Sequence, residues 1–533
     1  MAKGFLSIIL HAHLPYVRHP EYEHFFEENW LFEAITECYV PLIAMLDRLA
    51  ADHIDYHLTL SLSPPLITLL SDELLQARYL QYLQRLQELA HKEVLRTRQE
   101  QPEFKTLARL YRNFFRKTLQ IYQQQYACDL VAAFKKHQAT GHLELITCAA
   151  THGFLPLLNV SEIAVRNQIK IGVDVFKEHF GLQPNGFWLP ECGYYQGLEN
   201  ILKHEGIRYF FVDAHGLLCA NDPPRHGVYA PLDCANGVMA FARELKLSQQ
   251  VWSSKEGYPG DFDYREYYRD IGFDLDLDYI APYILNGSTR INTGIKYFRV
   301  TGHDAHKELY QPKQALLKAK IHAADFIAKC QQQVAQQTLL DEHPPMIVTP
   351  FDAELFGHWW FEGPHWLESV LRLAAQPNET LQLASPADYL TLYPTHQVTQ
   401  PSASTWGDQG YSSYWINETN AWIYPLLHKA ETQLEQLVAD LSKFTLSDLQ
   451  VRALNQAARS VLLAQASDWP FIMQSGTTVE YANQRIIDHL ARFNYLYDSV
   501  RKGKIDERYL AALEIMDNIF PAIDFRDYMK TGK

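Results

Sequence analysis

Five apolar runs that read as short buried strands each lead into a histidine or a carboxylate, and that recurrence narrows the folds open to this chain. The run FLSIIL at 5–10 leads into His11-Ala12-His13, LELITC at 143–148 into Thr151-His152-Gly153, and GFWL at 186–189 into Pro190-Glu191-Cys192. YFFV at 209–212 leads into Asp213, and MIVTP at 346–350 into Phe351-Asp352-Ala353-Glu354. In a parallel α/β barrel the reactive groups sit at the carboxyl ends of several different strands. From 141 to about 390, strand-like runs alternate with helical patterns, as an α/β chain requires. The expectation is an α/β barrel whose mouth gathers these residues.

Three stretches depart from the alternation. Leu80, Leu83, Leu86 and Leu89 open a helical stretch, and a second runs from about Leu107 to Lys136, which together predict a helical insertion over about 75–138. Residues 78–136 carry twelve Lys/Arg against five Asp/Glu. That excess could bind nucleic acid, but a solvated outer face is the simpler reading. Residues 219–264 are rich in turn chemistry, with Pro223-Pro224, Asn236-Gly237 and Tyr258-Pro259-Gly260. A segment of this length without regular structure is commonly functional, so its aromatics (Tyr229, Phe241, Trp252, Tyr258) suggest a lid over about 220–250. Past Pro394–Ser404 the pattern becomes helical, with Ser447 as an N-cap and a further helix from Thr478 to before Gly503. This divides the chain into a catalytic barrel over 1–395 and a helical domain over 396–533.

Composition excludes several classes. A formal net charge of -14 argues against nucleic acid as the main partner. No apolar run reaches the roughly 20 residues that span a bilayer, and the apolar run before His11 is too short for a secretory signal. Seven cysteines without a CxxC spacing read as reduced thiols in a cytoplasmic protein.

Glu191 and Asp352 are the strongest chemical pair. Each follows an apolar strand among bulky groups, Trp188 before Glu191 and Phe351, Phe356, Trp359 and Trp360 around Asp352. Acetal cleavage needs two carboxyl groups flanking the bond, and a carboxyl among aromatics has the raised pKa of a proton donor. The alternative is that both are N-caps of the following helices. His11 and His13, one residue apart, point to one side of an extended strand. With His152 and Asp213 they could hold a metal, as in metal-dependent hydrolases such as deacetylases, or hydrogen-bond the hydroxyls of a sugar. Trp406, Tyr411, Tyr414, Trp415 and Trp422 crowd the junction of the two domains, either as sugar-stacking surfaces or as interface core. Trp30 and the triplet Ser467-Asp468-Trp469 combine an aromatic with nearby polar or acidic groups in the same way. There is no Walker, dinucleotide or GxSxG signature.

In combination these residues resemble glycoside hydrolase family 57, and within it the 1,4-α-glucan branching enzymes. The blocks are HAHLPYV at 11–17, ELITCAATHGFLP at 144–156, GFWLPECGYYQG at 186–197, PFDAELFGHWWFEGPHWL at 350–367 and ASDWPF at 466–471. The resemblance implies a (β/α)7 barrel with a helical insertion and a C-terminal all-helical domain, and a retaining mechanism with no cofactor and no obligatory metal. It implies Glu191 as nucleophile and Asp352 as acid/base. His11, His13, His152, Trp188 and Asp213 would line the site of the reacting glucose. Trp30, Trp406 and Trp415 would be groove aromatics, and Arg269, Gly287 and Asp468 glucan contacts, with Trp469 a further substrate-binding candidate. The partner is then an α-1,4-glucan such as amylose or glycogen. The family's branching enzymes carry a lid loop tipped by a tyrosine thought to favour transfer. Spacing from Glu191 puts the tip here near Phe241, with Tyr229 the nearest tyrosine. A phenylalanine tip would shift the expectation toward hydrolysis.

Overall fold

The computed structural model describes residues 3–302, 306–337 and 343–529. Nine strands form one sheet: β1 (Gly4–Ala12), β2 (Leu58–Leu62), β3 (Leu143–Cys148), β4 (Gly186–Trp188), β5 (Tyr209–Val212), β6 (Leu232–Asp233), β7 (Met239–Ala242), β8 (Met346–Asp352) and β9 (Leu381–Leu383). Seven of them run parallel in the order β7-β5-β4-β3-β2-β1-β8. β6 is an antiparallel addition to β7, and β9 adds to the start of β1. The sheet curls until its edges meet at one backbone bond, Glu244 N–H to the Val348 carbonyl at 2.8 Å. This is a seven-stranded parallel barrel with a seam between β7 and β8.

The period of two along each strand decides what the barrel mouth contains. Phe5 and Ile9 of β1, Ile146 and Cys148 of β3, Tyr209 and Phe211 of β5, Met239 and Phe241 of β7, and Met346 and Val348 of β8 pack into one buried interior cluster. The intervening residues, such as Leu6, Ile8 and Leu10, pack outward with the helices. Extending each inward set by two residues past the packed core reaches His11 on β1, Asp213 after β5 and Arg243 after β7. On β8 two further inward steps, through Pro350, reach Asp352. The β1–β8 register sets His11 directly opposite Asp352. On these four strands inward-facing apolar side chains therefore give way to inward-facing polar ones at the same end.

Between β2 and β3 lie helices Glu73–Gln99, Lys105–Leu119 and Leu130–Gln138, the first capped by Asp72, which accepts from Leu75 N–H at 3.0 Å. The C-terminal region is a bundle of helices Ile423–Leu441, Asp448–Ala464, Asp468–Ser475, Val479–Lys502 and Glu507–Met516. Ser447 forms a reciprocal cap with Gln450. The chain between 393 and 422 does not leave the barrel at once. It runs along the outside, with Thr399 N–H on the Asp233 carbonyl and Ser402 N–H on Gly216, and arrives at the mouth with Trp406 N–H on the Glu191 carbonyl.

The lid expected over 220–250 is not a lid. Asn236-Gly237 is the turn of the β6–β7 hairpin, closed by Cys234 N–H to the Val238 carbonyl at 3.0 Å. Phe241 is an interior residue of β7, 1% exposed and edge-on to Tyr209. Strand alternation puts it there, and the four-residue strand MAFA is too short to stand out among turn signals. Tyr229 accepts from Met346 N–H at 2.8 Å, at the first residue of β8, so it lies at the amino end of the barrel, opposite the mouth. Neither residue can tip a loop over Asp352.

Candidate active site

Glu191 is presented by a strained turn. After β4 the chain enters a single tight turn in which Glu191 and Cys192 both take left-handed backbone angles, φ 61° and 50°. Such angles cost a non-glycine residue on the order of 1 kcal/mol or more and persist where the surroundings enforce them. Here Cys192 N–H bonds Leu189 and Gly193 N–H bonds Pro190. The Glu191 carboxyl is then held from both sides. Trp406 Nε1–H donates to Oε2 at 2.9 Å and Ser467 Oγ–H to Oε1 at 3.1 Å. Burial pushes the carboxyl up to about 7, opposed by the Trp406 hydrogen bond and reinforced by the charges of Asp352 and Asp468.

Asp352 closes β8 and opens to the same cleft, a cavity of about 320 Å³ lined by both carboxyls together with Arg243, Trp252, Trp406 and Phe471. Its depth in the protein raises it to about 6, against the positive charges of His13 and Arg243. Unlike Glu191, its carboxyl receives no hydrogen bond from any described residue. One carboxylate is fixed in orientation and the other is free to exchange a proton with whatever fills the cleft. Between about pH 6 and 7 the pair holds one proton, which sits mainly on Glu191 in the unloaded site, so the form with Asp352 protonated and Glu191 ionised is the minor one there.

Three histidines stack behind Glu191. His11 lies flat on Trp188 with ring centroids 4.6 Å apart, and His13 on His152 at 3.9 Å. His11 Nδ1 meets Ser61 Oγ at 3.1 Å and its Nε2 meets His152 Nε2 at 2.9 Å, while His152 Nδ1 meets Ser467 Oγ at 2.7 Å. Burial, with the neighbouring histidine charge, holds His11 and His152 well below the usual range, so both are neutral. His13 differs. Burial would lower it, but Asp468, with both oxygens 3.1 Å from Nε2, and the carboxyls of Glu354 and Glu191 raise it. Glu354 also accepts from His13 N–H at 3.3 Å and from Tyr39 O–H at 2.5 Å. Tyr39 is offered by the π-turn Ile35–Tyr39, an irregularity of the kind frequent at functional sites.

Not every expected residue joins this site. Asp213 is tied by both oxygens to Arg243, at 3.0 and 3.1 Å, and so does not form a ligand set with His11 and His13. The residues whose donor atoms do converge are His13, His152 and Asp468, and His11, Cys148 and His152. The ring nitrogens of His13 and His152 are hydrogen-bonded to Ser63, Asp468, His11 and Ser467. Trp469 is fully buried with Nε1–H on the Leu463 carbonyl, and Trp415 is 1% exposed and stacked on Phe154 at 4.7 Å. Both are core rings, Trp415 only edging the cleft, because burial leaves neither a free face for stacking. Trp30 is half-buried, edge-on to Tyr481. Arg269 pairs with Asp274 and covers Phe298, and Gly287 takes φ 67° in the turn bridged by Leu285 and Thr289. Neither lines the cleft.

Arg243 is in the site without having been noted from sequence, and Ser467, Glu354 and Trp252, noted only in a triplet, at a strand end and in the expected lid, join or border it. The strand-end rule would have found Arg243 had MAFA been read as a strand. Ser467 was legible only as a member of the Ser467-Asp468-Trp469 triplet, since its role depends on the C-terminal bundle folding back over the mouth, through Ser467 N–H to the His152 carbonyl at 3.0 Å.

Comparison with known proteins bears on this geometry. Residues 7–402 match the sequence model of glycosyl hydrolase family 57, and residues 426–528 match that of the C-terminal region of 1,4-alpha-glucan branching enzymes. Among solved structures, the alpha-amylase AmyC of Thermotoga maritima is 44% identical and superposes with a TM-score of 0.93, covering 100% of both chains. A family-57 branching enzyme of Pyrococcus horikoshii is 31% identical with a TM-score of 0.89, covering 99% of this chain and 97% of its own. A 1,4-alpha-glucan branching enzyme of Thermococcus kodakarensis is 32% identical over 99% of this chain and 79% of its own length.

Proposed function

The chain belongs to glycosyl hydrolase family 57, and from that premise we propose that it is a 1,4-α-glucan branching enzyme, cutting an α-1,4 chain and passing it to a 6-hydroxyl with retention. The observation that carries this reading is where the C-terminal region meets the catalytic pair. The segment just ahead of, and within, the stretch that matches the branching-enzyme C-terminal model supplies Trp406, Ser467 and Asp468, which orient Glu191 and His13.

In the first step Asp352 gives its proton to the departing 4-oxygen while the Glu191 carboxylate attacks the anomeric carbon, forming a glycosyl ester and freeing the reducing-end fragment. The Trp406 and Ser467 donors keep Glu191 aimed at that carbon, which is positioning rather than proton chemistry. His13, favoured toward its charged form by Asp468, and the neutral His11 and His152 offer donors and acceptors to the hydroxyls of the reacting glucose. In the second step Asp352, now a carboxylate, takes the proton of an acceptor 6-hydroxyl as its oxygen displaces Glu191. The retaining course expects the two carboxyls about 5–5.5 Å apart in the loaded enzyme.

Two observations favour a second reading, α-1,4 hydrolysis from the same glycosyl-enzyme: the 44% likeness to an α-amylase and the absence of a lid where 220–241 would have provided one. The two readings differ only in whether acceptor or water resolves the ester. New α-1,6 linkages formed from amylose, counted against new reducing ends, separate them. Among the described residues no helix is long and apolar enough to cross a membrane, and seven unpaired thiols support a reducing, cytoplasmic setting.

A further inference from the structure

Beside the catalytic cleft, and sharing Arg243, Trp252, Trp406 and Asp408 with it, lies a second and wider cavity of about 650 Å³. The catalytic carboxyls do not line it. Its walls hold two solvent-facing rings, Trp252 at 51% exposure and Tyr411 at 56%, set among Asp213, His215, Arg243 and Asp408. Isolated exposed aromatics need no explanation. Two in one polar-walled cavity that opens onto a sugar-cleaving pair do, since a pyranose offers flat C–H faces to rings and hydroxyls to the groups around them.

The backbone beneath both rings is fixed. Trp252 ends the helix Leu245–Trp252, which follows β7 directly. Tyr411 comes from a tight turn in which Thr405 N–H bonds Gly410, Gly410 N–H bonds Gly407, and Thr405 Oγ–H bonds the Tyr411 carbonyl at 2.9 Å. His215 Nε2 meets the Gly410 carbonyl at 2.7 Å, and a side chain at Gly410 would collide with that imidazole. A fixed backbone under the rings, with Tyr411 edge-on to His215, lowers the entropy that binding must remove. Arg243 gives Nε and Nη2 to Asp213, which leaves its Nη1 hydrogens for a hydroxyl in either cavity.

The geometry points to this cavity as the binding site of the acceptor α-glucan, with Trp252 and Tyr411 as its stacking faces; the inference rests on the transfer reading above. Branching needs a chain presented by a 6-hydroxyl from its middle, which requires more width than the catalytic cleft offers. Occupancy of the shared Arg243–Trp252 boundary would also displace the water that otherwise resolves the ester.

The test incubates the full-length protein with amylose as donor and maltoheptaose, fluorescently labelled at its reducing end, as acceptor. Trp252→Ala and Tyr411→Ala should each raise the acceptor concentration for half-maximal label incorporation about tenfold, the factor that 1.4 kcal/mol of lost binding gives. Phe444→Ala, in an exposed loop of the helical region, should keep the wild-type value. Incorporation with an acceptor dependence identical in all variants would overturn the assignment. So would a rise in donor KM that lowers reducing-end release and incorporation together, which would make the cavity a donor site. If the wild type incorporates label only through α-1,4 bonds while the Trp252 dependence persists, the branching reading falls and the cavity stands. No incorporation by the wild type would remove both.

Discussion

At the scale of single residues, the account turns on two carboxyls both raised by desolvation but held differently, Asp352 open to the cleft and Glu191 less exposed. Glu191 must be ionised to attack and Asp352 protonated to release the leaving oxygen. As pH falls below about 6 both carry protons and the nucleophile is lost; above about 7 neither does and the acid is lost. These values belong to the pair rather than to either member. The kcat/KM profile should therefore be a bell with its maximum between about 6 and 7, and Asp352→Asn should remove its alkaline limb in the residual rate. A profile still rising through pH 9 would contradict this. Glu191→Gln should lower the rate on the order of 10³-fold or more without changing the melting temperature greatly, as loss of a covalent nucleophile does. Ser467→Ala is the finer probe. It removes a donor that favours the charged form of Glu191, the group at about 7, so the alkaline limb should move to higher pH and the plateau should fall. An unmoved limb with a lowered kcat would mean that Ser467 acts on His152 instead.

At the scale of elements, the strands that were legible are those with enough alternation to be recognised alone. FLSIIL, LELITC and MIVTP show an inward apolar set that ends in a polar residue, and the barrel mouth follows from that parity. β7 failed to show because MAFA is four residues long and flanked by Asn236-Gly237 and charged neighbours. The misplaced lid follows from that one omission. Phe241 tests the corrected placement. As a barrel-interior ring, Phe241→Ala should cost about 3–5 kcal/mol of stability, read as a lowered melting temperature. A variant with wild-type stability and an altered product ratio would restore it to a loop over the mouth. Deleting Asn236–Phe241 should abolish soluble folded protein, because it removes the hairpin turn and most of the strand on the seam.

At the scale of the whole molecule, the division into a barrel and a helical region was readable from the change in periodicity, but their joining was not. The contacts that complete the site, Trp406 and Ser467 on Glu191 and Asp468 on His13, span more than 200 residues of sequence each. No local pattern encodes these pairings, though the aromatic cluster from Trp406 to Trp422 and the block ASDWPF hinted that residues beyond 400 take part. The same tertiary folding buried Trp415 and Trp469, which composition could not tell from groove aromatics. The joining is also what ties the branching-enzyme C-terminal match to the chemistry, and so to the proposed transfer. The most direct measurement incubates the wild-type protein with amylose and follows α-1,6 anomeric protons by NMR alongside new reducing ends. Transfer predicts α-1,6 signal growing while reducing ends rise little; reducing ends accumulating without α-1,6 signal would contradict it and leave an α-glucan hydrolase.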